Sequence, residues 1–128
     1  MKIASLIARY LLGLGFTVFG LNGFLHFIPQ PPMPDGPALD YMKVMMATHY
    51  LAPVFAIQLI GGILLLVNRY VPLALTMLAP VLVNILLFHS FMQPEGLPPG
   101  LLFTILWFLV FASVRSAFTG IFQSKVEV

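Results

Sequence analysis

The stretch from Leu51 to Phe91, LAPVFAIQLIGGILLLVNRYVPLALTMLAPVLVNILLFHSF, decides the fold class. It is two apolar runs, 51–67 and 71–91, joined by the polar turn Asn68-Arg69-Tyr70. Crossing a bilayer takes roughly 17–25 helical residues, and each run reaches that length without a charge. A turn this tight makes the two segments antiparallel neighbours. Neither run alternates polar and apolar residues, as a strand of a membrane β-barrel does. The other structure that satisfies its own backbone in lipid is the α-helix.

The flanking sequence repeats the pattern. An apolar run covers about 3–28 and ends at Pro29, Pro31 and Pro32, and another covers about 101–118. Across all 128 residues, 60% are hydrophobic and 8% charged, against about 25% charged in a soluble domain. Six basic and four acidic side chains are too few to cover a surface facing water. Soluble and disordered classes are excluded, and no nucleic-acid partner is expected. The absence of cysteine removes disulfides, thiolate metal sites and iron–sulfur ligation. The sequence therefore predicts an all-α, integral membrane four-helix bundle in a single domain, 1–128. Met1-Lys2 and the first run have the look of a signal peptide, but no small-residue cleavage site follows. The run is read as a retained span.

Basic residues set the orientation. With four spans, Lys2, Arg9, Arg69, Arg115 and Lys125 fall on the side of both termini, and Lys43 falls opposite. The positive-inside rule then places both termini in the cytoplasm and the long connection from Pro29 to Tyr50 outside. Its first half, through Pro37, is too rich in proline for a helix. Its second half sets Leu39, Met42, Met46 and His49 on one helical face, predicting a short amphipathic segment at the outer interface or an extension of the second span bent near Pro53. The second outer connection, Gln93–Gly100, is again proline-rich and is expected to be a rigid loop.

In so apolar a chain the costly polar residues are the informative ones. They are Asn22, His26, Gln58, Asn84 and His89. At 1.5 Å per residue, Asn22, Gln58 and Asn84 lie roughly 9–11 Å inward from the outer helix ends, with His26 and His89 above them. On the first helix Ala4, Ala8, Leu11, Gly15, Asn22 and His26 share a face, and small residues on that face suit close packing in lipid. Gln58 precedes Gly61-Gly62, a second close-approach surface. Asn84 and His89 differ by about 140° around a helix, so both cannot point straight inward unless Pro80 loosens it. Two readings follow: an interhelical carboxamide network that sets register, or an outer-leaflet pocket for a small amphipathic molecule. A third feature is the set of outer methionines, Met33, Met42, Met45, Met46 and Met92. Thioether and imidazole together suit Cu(I), although methionine is also ordinary interface filler. No phosphate loop, nucleophile–base pair or deep histidine pair for haem is present, and no catalytic residue is assigned.

Five features stand together: Arg9, Asn22-Gly23-Phe24-Leu25-His26-Phe27, Gln58-Leu59-Ile60-Gly61-Gly62, Arg69-Tyr70-Val71-Pro72-Leu73-Ala74-Leu75 and Asn84-Ile85-Leu86-Leu87-Phe88-His89. On these, over about residues 5–123, the chain resembles the DoxX and DoxX-like membrane proteins. The resemblance implies a four-helix bacterial inner-membrane protein, and the family name is shared with a small membrane subunit of a thiosulfate:quinone oxidoreductase. Relatives often carry Glu at the position of Gln58, so proton-coupled chemistry there is in doubt. The expected function is an accessory membrane protein tied to respiratory or redox processes, holding a quinone or lipid at Asn22, His26, Gln58, Asn84 and His89. A scaffold or assembly partner, acting with another membrane protein or a second copy, is the alternative, followed by a small transporter or copper-handling protein.

The topology is open to a direct check. A reporter fused at Val128 should be active only in the cytoplasm, and one inserted at Asp35 only outside it. The opposite pattern would turn the outer polar layer into an inner one.

Overall fold

A computed structural model describes residues 2–128, and among them the regular elements are all helical. Five α-helices follow one another: α1 (Lys2–Leu25), α2 (Pro37–Ala47), α3 (Leu51–Leu66), α4 (Val71–Phe91) and α5 (Leu97–Val114). Single stretches of 3₁₀-helix, Pro94–Gly96 and Arg115–Phe122, flank α5. α1 packs on α3 and α5, and α4 closes the ring by packing on the same two helices. α2 lies apart at one end, turned 86° from α3, with Tyr41 against Phe88 of α4 at a ring separation of 5.2 Å.

Leu12, Phe16, Leu65, Leu75, Leu78 and Val110 form the fully buried centre. The outer surface is nearly as apolar, with Leu14, Phe19, Ile60, Leu73, Val83, Leu102, Ile105 and Phe108 exposed. A contiguous apolar exterior of this kind is matched to lipid rather than water. α1, α4 and the continuous stretch Pro94–Phe122 are each long and apolar enough to cross a membrane. α3 has 16 residues, and a fourth crossing is reached if α2 and α3 count together as one bent span.

Several boundaries differ from the sequence reading. α1 stops at Leu25, three residues before Ile28, because His26 turns left-handed at φ 51°. Its amide donates to the Asn22 carbonyl at 2.8 Å, closing the helix. α5 begins at Leu97 rather than Leu101. Pro98 and Pro99 fall in its first turn, where an amide N–H has no helical partner to lose. The expected rigid loop is thus a single 3₁₀ turn. α2 forms as expected, but its half-buried residues include Leu39, Tyr41, Met42 and Met45, while Met46 and His49 are exposed. The bend falls at Thr48-His49-Tyr50, ahead of Pro53. There His49 sits at φ 58°, its amide bonded to Met46 O and that of Tyr50 to Met45 O. This is the paired closure of a Schellman motif. Asn68 ends α3 the same way at φ 55°, with Asn68 N on Leu65 O and Arg69 N on Leu64 O.

The packed face of α1 is also corrected. Ala4, Leu11 and His26 are exposed, and the buried row is Ser5, Ala8, Leu12, Gly13, Phe16 and Gly20. α1 and α3 meet along it with almost no separation. A Cβ on Gly62 would lie 2.6 Å from Thr17 N and 2.8 Å from Gly13 O, and one on Gly20 would lie 2.7 Å from Leu59 N. These neighbours are backbone and cannot swing aside. Gly61 faces the Leu78 side chain instead, at 2.8 Å, and that side chain can repack.

The two adjacent glycines should therefore behave differently. Gly62→Ala is expected to destabilise the folded chain in detergent by about 1–3 kcal/mol, the usual range for overpacking, and Gly61→Ala by clearly less. Equal losses, read from thermal or denaturant unfolding, would place the close contact elsewhere.

Candidate functional site

Polar side chains tie the helices together in a manner the sequence reading missed. Ser5 Oγ, buried in α1, donates to Leu109 O of α5 at 2.9 Å. Trp107 Nε1 of α5 donates to Leu75 O of α4 at 3.0 Å. The Arg9 guanidinium donates to Leu65 O in the last turn of α3 and lies 4.6 Å from the Tyr10 ring centre. A cation suits that helix end, where carbonyls lack helical donors. All three bonds run from a side chain to a backbone carbonyl. In the sequence Arg9 signals orientation and contributes to the family likeness but not this bond, and Ser5 and Trp107 carry no signal beyond being polar or amphipathic.

The expected layer of mutually bonded carboxamides does not form among the described residues. Asn22 Oδ1 accepts from the Ile28 amide at 2.8 Å, so Asn22 braces the chain as it leaves α1. Asn84 is exposed. The packed row of α4 runs through Ala74, Leu75, Leu78, Val81 and Leu82, and helical spacing continues it through Ile85 to His89 rather than through Asn84. The angular conflict between Asn84 and His89 is thus resolved in favour of His89. Its Nδ1 lies 3.1 Å from Gln93 O. A carbonyl can only accept, so Nδ1 carries the hydrogen and, in the neutral ring, Nε2 keeps a free lone pair. Gly96 leaves room for the ring, which a side chain there would strike.

Among the five, Gln58 is the one that is buried without such a bond. It is 8% exposed, and no protein group hydrogen-bonds its carboxamide among the described residues. Its polar atoms are not sealed in apolar packing. They open on cavities between the helices, and Gln58 lines three of them. One, of about 200 Å³, includes Phe16, Phe19, His89 and Phe103 in its wall. A second, of about 240 Å³, lies between α2, α3 and α4 and takes in Asn84 and His89. The third, of about 400 Å³, lies under the proline-rich connection and takes in Asn22, His26, Met42 and Met46. Of the five residues singled out from sequence, the other four thus line cavities shared with Gln58. Asn22, His26 and Gln58 share one cavity, Gln58 and His89 share two, and Asn84 stands at the rim.

The smallest of the three resembles a binding pocket in chemistry. Its wall is mostly aromatic and aliphatic, with Gln58 able to donate or accept and His89 able to accept. An apolar cavity of about 150 Å³ is enough to take up benzene, so a single ring with a polar substituent fits its size. Comparison with protein-family models, curated proteins and solved structures finds no match to this chain.

The Asn22 contact has a measurable consequence. Asn22→Leu removes the acceptor for the Ile28 amide and should lower stability by about 0.5–1.5 kcal/mol, the net value of such a bond. Unchanged unfolding would mean that water replaces the bond without loss.

Proposed function

We propose that the chain is a four-span inner-membrane protein with cytoplasmic termini that holds a small amphipathic molecule beside Gln58. The observation that carries this reading is the Gln58 side chain, 8% exposed, with no hydrogen-bond partner among the described residues and with its polar atoms open to three cavities. The polar atoms of Gln58 reach these cavities rather than being sealed in apolar packing, so a hydrogen-bonding guest or bound water there can pair with them. Helix register does not require it, since Ser5, Arg9 and Trp107 already bond across the helix contacts.

The proposed guest has a ring-sized polar head and an apolar tail. A quinone fits this description: its carbonyl accepts from Gln58, and the ring lies among Phe16, Phe19 and Phe103. A hydroxyl on the same ring, as in the reduced form, can donate to His89 Nε2. A lipid whose headgroup carries a carbonyl is the other member of the class. The resemblance to the DoxX proteins supports a role beside respiratory or redox enzymes, and it is the source of that part of the proposal. Gln58 has no ionisable proton, so the site is read as one that binds rather than one that transfers protons.

Gln58→Leu separates binding from folding. It exchanges an unpaired amide for an apolar group of similar size, so stability should be unchanged or higher. Retention of the co-extracted molecule, measured by native mass spectrometry from gently solubilised membranes, should fall about 3–10-fold, the equivalent of one hydrogen bond. Equal retention in both proteins, or a wild-type chain carrying no small molecule, contradicts the proposal.

A further inference from the structure

The outer end of the bundle holds a second group of side chains, two of which, His26 and Met46, also line the largest of the three Gln58 cavities. His26, Met45, Met46 and His49 line one cavity of about 350 Å³, between the end of α1 and the junction of α2 with α3. His26 and Met46 also face the adjoining cavity, whose wall adds Met33 and Met42. Two imidazoles and four thioethers thus gather at one place. Neither imidazole hydrogen-bonds to another protein group among the described residues. No carboxylate lines either cavity.

We propose that His26, His49, Met45 and Met46 form a binding site for one Cu(I) ion. Each ligand is neutral, and thioether sulfur is soft, a combination that favours a soft monovalent ion. Calcium, magnesium and manganese require oxygen ligands that this group lacks. Zinc sites are built from thiolate, imidazole and carboxylate, and no cluster of three such His, Asp or Glu residues occurs among the described residues.

The backbone holds the donors in place. Met46 and Met45 supply the carbonyls that accept the amides of His49 and Tyr50, so the closure of α2 fixes the backbone that carries both thioethers and one imidazole. The backbone that carries the second imidazole is held from the other side. His26 closes α1 through Asn22 O, and Asn22 Oδ1 holds the next turn of chain through the Ile28 amide. Both histidines occupy left-handed positions, φ 51° and 58°. Glycine adopts that conformation with least strain. Histidine at both positions places two rings beside the same cavity at some conformational expense.

That conformation also supplies a clean test, because removing the rings need not harm the fold. The purified chain in detergent, kept free of oxygen, is titrated with Cu(I) against a chromogenic Cu(I) chelator. The wild-type chain should take up one ion per chain, and excess Zn(II) should not displace it. The double variant His26→Gly/His49→Gly should fold at least as stably as the wild type. Its Cu(I) affinity should fall by more than the roughly 10–100-fold that loss of even an outer-shell partner brings. Met45→Leu/Met46→Leu conserves volume and apolarity and should also weaken binding, by about tenfold or more. A wild-type chain that cannot compete with the chelator overturns the proposal. So does undiminished affinity in either double variant, the second of which would show imidazoles binding without the thioethers.

Discussion

The near-contact of two backbones, α1 and α3 at Gly13, Gly20 and Gly62, is the constraint on which the rest depends. Lipid gives helices no hydrophobic reason to associate, so they must gain from close van der Waals packing and from polar bonds. With Gly62 against Thr17 N and Gly13 O, and Gly20 against Leu59 N, the helices are held together over about two turns of α1. α4 and α5 then close around this pair through larger side chains, including Leu75, Leu78, Leu106 and Val110.

The same contact explains where space is left. Gln58 lies one turn from Gly62 and beside Leu59, whose backbone is pressed against Gly20. The tight seam cannot admit its side chain, which meets the cavities instead. Aromatic rings at this level keep the helices from collapsing inward: Phe16 packs edge-on to Phe103 at 5.2 Å, and Phe24 similarly to Phe55 at 6.2 Å. Below, the bundle is sealed by the buried leucines. Above, it opens under α2 and the proline-rich connection. A closed lower half and an open, polar-lined upper half suit retention of a molecule reached from one side of the membrane.

Much of the architecture was legible because lipid permits so few solutions. Long apolar runs and the turn at Asn68-Arg69-Tyr70 identify the packed helices without any family comparison. Helix ends were less legible. Pro98 and Pro99 look like breakers but occupy a first turn that tolerates them, and a left-handed histidine at position 26 leaves no mark in hydropathy. The azimuth of each helix was hardest to read. A helix that faces lipid on one side and protein on the other is apolar all round, so its packed face has no compositional contrast. Depth along the axis placed Asn22, Gln58 and Asn84 in one layer. Only Gln58 turns into the packed interior, while Asn22 braces its own loop and Asn84 reaches the surface. The interhelical bonds were invisible for a related reason: their acceptors are backbone carbonyls, which every residue possesses.

The central claim is that the space around Gln58 is occupied by a small molecule in the native membrane. Ile85 shares the walls of two of the Gln58 cavities and makes no polar contact, so it can carry a probe without removing the proposed hydrogen bond. Replacing it with a diazirine analogue of leucine, irradiating intact membranes and weighing the purified chain measures directly what lies in that space. The account predicts an adduct heavier than the chain by one small amphipathic molecule. Crosslinks confined to the chain itself, or to another polypeptide, would contradict it.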